Sequence, residues 1–206
     1  QPNRRLPWQR VSQHLRTGRH QPKAITSHLV CLPPQDEVSL LKVAFLRRPL
    51  ARLLSAYRYE IRVRNKYNQL SLERYIRRHR SGVLANYQTR HLSPQQEEDW
   101  HDVRGWGARP ELIDLERPDL FVGLVERYDE SMVALEQMLQ SLGIRLDLAY
   151  PRAMNTTRSD QDVESQADAL PRKLLLESTE LDERLYQRVE ARLEEHINNI
   201  PEFEKR

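Results

Sequence analysis

Residues 42–62 read KVAFLRRPLARLLSAYRYEIR. This segment opens with an almost continuously apolar run, which is typical of a strand buried in a parallel sheet. Arg47 and Arg48 end this run. Pro49 follows, and proline is well tolerated at the first position of a helix because its missing N–H has no partner there. The segment therefore predicts a strand that turns into a helix at a pair of arginines.

Strand-like and helix-like segments alternate along the chain. Strands are predicted over residues 24–31, 39–46 and 120–125, and helices over residues 50–66, 72–79, 83–92, 128–142 and 173–198. This alternation is typical of a parallel sheet covered by helices. We expect a single α/β domain over residues 1–206, with a central parallel sheet flanked by helices. Residues 1–23 would form a basic arm, residues 24–200 the core and residues 201–206 a tail.

Composition narrows the class of protein. The chain has 206 residues, enough to bury the core of one domain. Its single cysteine cannot form an internal disulfide. No apolar run reaches the roughly 20 residues that a membrane span requires, and no histidine or cysteine spacing indicates a metal site.

Charge is strongly segregated along the chain. Residues 1–93 contain 19 Lys and Arg but 4 Asp and Glu, whereas residues 94–206 contain 14 and 26. A basic half of this kind favours an anionic partner, and the alternative is that the two halves pair with each other across the fold. The basic residues that follow the opening stretch are Arg58, Arg62, Arg64, Lys66, Arg74, Arg77, Arg78 and Arg80. They would hold an acidic glycan or another anion, or form a solvated helix face.

The two arginines point to a more specific site. Ligands of open α/β sheets bind beyond the carboxyl ends of the strands, where helix N-termini favour anions. The guanidinium of Arg47 can hold a phosphate by two parallel hydrogen bonds, and Ser55 would add a hydroxyl group from the helix. The alternative is that Arg47 and Arg48 are solvated charges and that Ser55 is a small packing residue.

The motif Arg47-x-Pro49-x-x-Arg52-x-x-Ser55-x-Tyr57 resembles the 3′-phosphate-binding motif of sulfotransferases that use 3′-phosphoadenosine 5′-phosphosulfate (PAPS). The likeness is to the Golgi-type carbohydrate sulfotransferases, the group that includes heparan sulfate 2-O-sulfotransferase. Three further stretches resemble family segments in the same order. They are Ser27-His28-Leu29-Val30, the run from Leu120 to Glu126 with the helix after it, and Asn155-Thr156-Thr157.

The resemblance implies a P-loop-kinase-like sulfotransferase fold and the transfer of a sulfuryl group from PAPS to a hydroxyl group, with a carbohydrate as the expected acceptor. His28 would be the general base, a role that suits histidine near neutral pH, although it could equally be a strand histidine with local hydrogen bonds. Arg47 and Ser55 would hold the 3′-phosphate of the donor. Thr156 and Arg158 would cover it from a later loop.

One expected part of the family pattern is not found. The resemblance calls for a loop, several tens of residues ahead of His28, whose backbone N–H groups hold the 5′-phosphosulfate. Only 27 residues precede His28, and residues 16–18 fit this loop poorly. We therefore expect the first strand and this loop to be missing, either because the chain is a fragment or because it is a degenerate member that binds without turnover. Either way, this chain alone is expected to lack full catalysis.

A second hypothesis is a non-catalytic binding module with a basic face for nucleic acid or another polyanion. The tyrosines of the basic half could stack on bases, but no nucleic-acid-binding signature accompanies them. A third is a scaffold that kept the fold without the chemistry. By resemblance, a eukaryotic protein of this kind would lie in the Golgi lumen and a prokaryotic one in the cytoplasm. The oligomeric state is left open.

Overall fold

The computed structural model describes residues 40–63, 70–79, 85–93, 109–148 and 167–200, together with residues 17 and 165. The strands are β1 (Lys42–Leu46) and β2 (Leu120–Leu124). The α-helices whose bounds the structure gives are α1 (Pro49–Arg58), α2 (Leu72–His79), α3 (Tyr87–Leu92), α4 (Tyr128–Ser141) and α5 (Arg172–Asn198). A π-helical turn, Tyr59–Val63, follows α1, and 3₁₀ turns cover Pro110–Leu112 and Val125–Arg127. The described part of the chain is mixed α/β and mostly helical.

The two strands form a small parallel sheet. Lys42 lies opposite Leu120, and Leu46 lies opposite Leu124. The expected α/β class with parallel strands is confirmed at this level. The strand predicted over residues 24–31 lies outside the described residues, so the wider central sheet stays a prediction. The sulfotransferase fold stays a prediction as well.

Gly123 allows close packing between β2 and the elements around it. It lies opposite Phe45 of β1. A Cβ atom at this position would lie 2.8 Å from Phe45 Cε1 and 2.8 Å from Ser131 Cβ. Carbon atoms do not approach so closely, so any side chain here would force the strands or α4 apart.

Ser131 ties the end of β2 to α4. It is fully buried, its Oγ accepts a hydrogen bond from the Leu124 N–H at 2.9 Å, and its hydroxyl donates to the Arg127 carbonyl at 2.8 Å. Buried backbone groups at the end of a strand need such partners because water cannot reach them. The carboxyl end of the sheet is therefore held in place from the β2 side.

Helix α5 crosses most of the described structure and packs against α1, α2, α3, α4 and β2. It contributes to two apolar cores. One core, around the sheet and α4, includes Leu46, Leu124, Leu135, Leu185 and Val189. The other, around α1 and α2, includes Leu53, Leu72, Tyr75, Ile76 and Leu174. One long helix therefore joins the two cores.

Asn86 connects α3 to the middle of α5. Its backbone N–H donates to the Ser178 carbonyl at 2.9 Å. Its Oδ1 accepts from the N–H groups of Leu181 at 2.9 Å and Asp182 at 3.3 Å. The Ser178 carbonyl and the Asp182 N–H are the pair that an α-helix normally joins, so Asn86 bridges them.

The predicted helix bounds agree with the structure except at two places. The α-helix predicted over residues 50–66 ends at Arg58, where the π-helical turn begins. The helix predicted over residues 83–92 begins at Tyr87, because Asn86 has a φ of 47°, a left-handed conformation that does not continue into a helix. None of the described helices combines the length and the apolar character needed to cross a bilayer.

Candidate anion-binding site at the end of strand β1

Arg47 and Arg48 connect β1 directly to α1. Arg48 has extended backbone angles, φ −47° and ψ 125°, and Pro49 starts the helix. The residue before a proline is restricted to such angles by steric contact with the proline ring. Both arginines therefore lie at the carboxyl end of the parallel pair and beside the N-terminus of a ten-residue helix, as the sequence predicted.

Gln88 of α3 holds the backbone of Arg47 on both sides. Its Oε1 accepts from the Arg47 N–H at 2.7 Å, and its Nε2 donates to the Arg47 carbonyl at 2.8 Å. Gln88 is itself buried. The side-chain amide thus pairs with Arg47 in the way that a neighbouring strand would.

Asp182 of α5 holds the N-terminus of α3. It is 1% exposed, and its carboxylate accepts from the N–H of Thr89 at 2.7 Å and from the N–H of Gln88 at 3.3 Å. A carboxylate at a helix N-terminus satisfies free N–H groups and complements the helix dipole. Burial raises the pKa of Asp182, and the bond from Thr89 and the charge of Arg52 oppose that shift.

Arg52 is directed to the interior. Its Nε lies 4.0 Å from Asp182 Oδ2, and its guanidinium carbon lies 4.9 Å from the centre of the Tyr87 ring. Burial lowers the pKa of Arg52, and Asp182 opposes this shift. Within the resembling motif, Arg52 therefore supports the packing of α1 against α3 and α5.

A cleft opens between α1 and α5. Its volume is about 500 Å³, within the usual range for small-molecule sites. The lining residues from the β1 end and α1 are Arg47, Arg48, Leu50, Ala51, Leu54 and Arg58, and those from α5 are Glu183, Tyr186, Gln187 and Glu190. One wall is thus basic and apolar, and the other carries two carboxylates.

Arg48 interacts with Tyr186 of this opposite wall and, through its backbone, with Glu126, which follows β2. Its N–H donates to Glu126 Oε1 at 2.9 Å, and the Tyr186 hydroxyl donates to Glu126 Oε2 at 3.2 Å. A hydrogen bond between its guanidinium and the Tyr186 hydroxyl raises the pKa of Arg48. Burial raises the pKa of Tyr186. The pKa of Glu183 is also raised, mainly by burial and to a smaller extent by the nearby Asp182 carboxylate.

Arg47 differs from its neighbour. It is half-buried and lines the cleft, and no ion pair joins it to a carboxylate within the described ranges. Its backbone is fixed by Gln88, so the guanidinium extends from a defined point. A planar guanidinium in this position can donate two parallel hydrogen bonds to a phosphate or sulfate group.

Of the other predicted site residues, Ser55 lies in the described part of the chain. Ser55 is half-buried on α1, one turn after Ala51, and is not among the residues that line the cleft. His28, Thr156 and Arg158 lie outside the described residues, so their predicted roles stay predictions. Among the described residues, no group of three His, Cys, Asp or Glu side chains is arranged to hold a metal ion.

The residues that position Arg47 were missed by sequence analysis. Gln88 and Arg47 are 41 residues apart, Glu126 and Arg48 are 78 apart, and Asp182 and Gln88 are 94 apart. No local motif marks any of these contacts, because each joins side chains or backbone groups of separate elements. Only the predicted alternation of strands and helices indicated that such elements would meet near the strand ends.

The predicted basic face is partly used within the fold. Arg77 pairs with Glu73 at 2.8 Å, and Arg58 lines the cleft. The rings of Tyr57 and Tyr75 are buried, with their centres 5.2 Å apart, and the Tyr57 hydroxyl donates to the Leu70 carbonyl. These two tyrosines form part of a core and present no ring face to a nucleic acid.

Comparison with known proteins finds no protein family, curated protein or solved structure that matches this chain.

Proposed function

We propose that this chain binds the nucleotide PAPS at the end of β1 and acts in sulfuryl transfer to a hydroxyl group, with a carbohydrate as acceptor. The observation that carries the proposal is the placement of Arg47. Arg47 follows the last paired residue of β1, at the carboxyl end of the parallel pair, it lines the cleft, and its backbone is fixed by Gln88. The resembling motif assigns the 3′-phosphate of the donor to this residue.

The surroundings of Arg47 support the binding of one phosphate group beside the start of α1. The N-terminus of α1 favours a negative group, and the cleft beside it has room for a small molecule. Glu183 and Glu190 on the opposite wall repel further negative charge. In this proposal, the 3′-phosphate therefore lies at Arg47 and the charged 5′ end of the nucleotide is directed away from these two carboxylates.

The remaining roles come from the resemblance. His28 is proposed as the base that removes the acceptor proton, and Thr156 and Arg158 as further donor contacts. Ser55 stays a proposed contact of the same 3′-phosphate, although it is not among the residues that line the cleft. Sulfuryl transfer needs chiefly the alignment of donor and acceptor and stabilisation of charge, which is the role this proposal gives to Arg47.

Calorimetric titration with adenosine 3′,5′-bisphosphate tests the proposal. We expect saturable binding to the wild-type chain and weak binding of adenosine 5′-monophosphate, which lacks the 3′-phosphate. Arg47→Ala should weaken the bisphosphate by about 10- to 100-fold, the effect of losing charge-assisted hydrogen bonds. Arg74→Ala, which removes an exposed arginine of α2, is the matched control and should leave the affinity unchanged.

Binding that ignores the 3′-phosphate, or that survives Arg47→Ala, would refute the assignment of Arg47. The polyanion-binding alternative predicts a different result. It requires tight binding of single-stranded nucleic acid or a sulfated polysaccharide with a steep dependence on salt, because several counterions are released together. The net basic charge of residues 1–93 favours this alternative, whereas the carboxylates of the cleft oppose it.

A further inference from the structure

We propose that Gln88 is the positioning residue for Arg47: its side-chain amide sets the backbone from which the guanidinium reaches the anion. Gln88 acts through Arg47 and has no part in contacting the ligand. This inference rests on the proposed function, because it assumes that the anion binds at Arg47.

The need for such a residue follows from the end of the sheet. The paired register of the two strands stops at Leu46 and Leu124, so Arg47 has no strand partner. Its N–H and C=O groups would otherwise be left without hydrogen bonds beside a packed core. Gln88 supplies an acceptor at 2.7 Å and a donor at 2.8 Å. The two bonds together fix the direction in which the Arg47 side chain leaves the backbone.

Gln88 can do this because its own position is fixed. It is 8% exposed, and its backbone N–H donates to the Asp182 carboxylate. Asn86, two residues before Gln88, is bonded to three backbone groups of α5. Contacts with α5 therefore fix the position of α3, and the Gln88 side chain of α3 fixes the backbone of Arg47.

The chemistry of this contact is selective for glutamine. It needs one acceptor and one donor at the end of a side chain of this length. Methionine has a similar length and supplies neither group. Glutamate supplies the acceptor, but as a carboxylate it would oppose the Arg47 carbonyl and add a negative charge near the anion.

The test is the affinity of adenosine 3′,5′-bisphosphate for the full chain carrying Gln88→Met or Gln88→Glu, measured beside urea unfolding of each variant. Ser131→Ala is the matched control. It also removes buried bonds from a side chain to the backbone, at the end of the neighbouring strand, and those bonds involve Leu124 and Arg127 instead of Arg47. We expect both Gln88 variants to bind at least about tenfold more weakly, since small misplacements of a binding group have effects of this size. Ser131→Ala should lose stability and keep wild-type affinity.

Two results would overturn the inference. One is wild-type affinity in a Gln88 variant, which would leave the proposed function intact if binding still depended on Arg47. The other is an equal loss of affinity in Ser131→Ala, because affinity would then follow overall stability. If Gln88→Met fails to fold, Gln88→Glu decides by the same criteria. Absence of binding to the wild-type chain would refute the proposed function itself, and this inference with it.

Discussion

Asp119 connects the beginnings of the two strands. Arg117 donates to both of its carboxylate oxygens, at 2.8 and 2.7 Å, and Lys42 at the start of β1 donates to Oδ2 as well. The hydrogen bond from Arg117 lowers the pKa of Asp119 below its ordinary value of 3.8, and Lys42 adds to this effect. The amino end of the parallel pair is thus held by an ionised carboxylate.

This arrangement predicts an acid-sensitive contribution to stability. Because the folded-state pKa of Asp119 lies below the unfolded value of 3.8, its contribution is complete above that value and is lost as the pH falls through the folded-state pKa. Asp119→Asn should therefore lower the free energy of unfolding at pH 7, and the difference from wild type should shrink at pH 3. Urea unfolding at both pH values measures it.

Asp168→Asn is the control for this pair of measurements. Asp168 is exposed, and its replacement should leave stability close to the wild-type value at both pH values. An Asp119→Asn difference of the same size at pH 7 and pH 3 would show that the carboxylate contributes through packing and not through its charge.

At the scale of elements, the contact between α3 and α5 depends on Asn86. Its side chain satisfies two N–H groups within α5, and its backbone donates to the Ser178 carbonyl. These three backbone groups lie within about one turn of α5, so Asn86 attaches α3 at a defined point along that helix. The short helix α3, with six residues, has little stability of its own.

Asn86→Ala should lower the free energy of unfolding by about 1–3 kcal/mol, because it removes the acceptor that Asn86 offers to two N–H groups of α5 and puts alanine, which tolerates positive φ less well than asparagine, in a left-handed conformation. Asn86→Asp keeps an acceptor oxygen and should cost less. Urea unfolding compares the three proteins. Equal stability of Asn86→Ala and wild type would mean that α5 closes its own hydrogen bonds at this point.

The elements also show what could be predicted from sequence. Apolar periodicity found α2, α4 and α5 to within about one residue, because each of these helices presents a regular buried face. The end of α1 was missed, since the chain around Tyr59 continues as a π-helical turn with the same kind of residues. The position of Arg47 between β1 and α1 was predicted, because an apolar run, two arginines and a proline mark the change from strand to helix. Gln88 was not, because a single buried glutamine has no sequence pattern.

At the scale of the whole molecule, the charge segregation is partly internal. The pairs Lys42–Asp119 and Arg52–Asp182 each join the basic half to the acidic half. The cleft repeats this arrangement, with arginines near β1 and α1 facing carboxylates of α5. The two halves therefore pair with each other across part of the fold, and the anionic partner of Arg47 stays a proposal.

Replacing the acidic wall should broaden what the molecule binds. The double variant Glu183→Gln, Glu190→Gln should bind a sulfated polysaccharide several-fold to about tenfold more tightly at low salt, because two repulsive charges beside the arginines are removed. Affinity chromatography or calorimetry measures the change. Glu177→Gln with Glu195→Gln is the matched control, since both residues are exposed on α5 outside the cleft and the net charge changes equally. An equal gain in both double variants would assign the effect to net charge alone.

The bond from Asp182 to the start of α3 has a consequence for biosynthesis. A ribosome completes β1 and its two arginines long before it reaches α5, because these elements are far apart in the chain. Until α5 leaves the ribosome and packs against α3, the N–H groups at the start of α3 lack the Asp182 carboxylate. The position of Gln88, which bonds to the Arg47 backbone, is not yet fixed at that stage. Contacts between distant parts of a chain form late and slowly. A nascent chain therefore carries Arg47 before the contacts that fix its backbone, and the proposed anion site would be complete only after α5 docks.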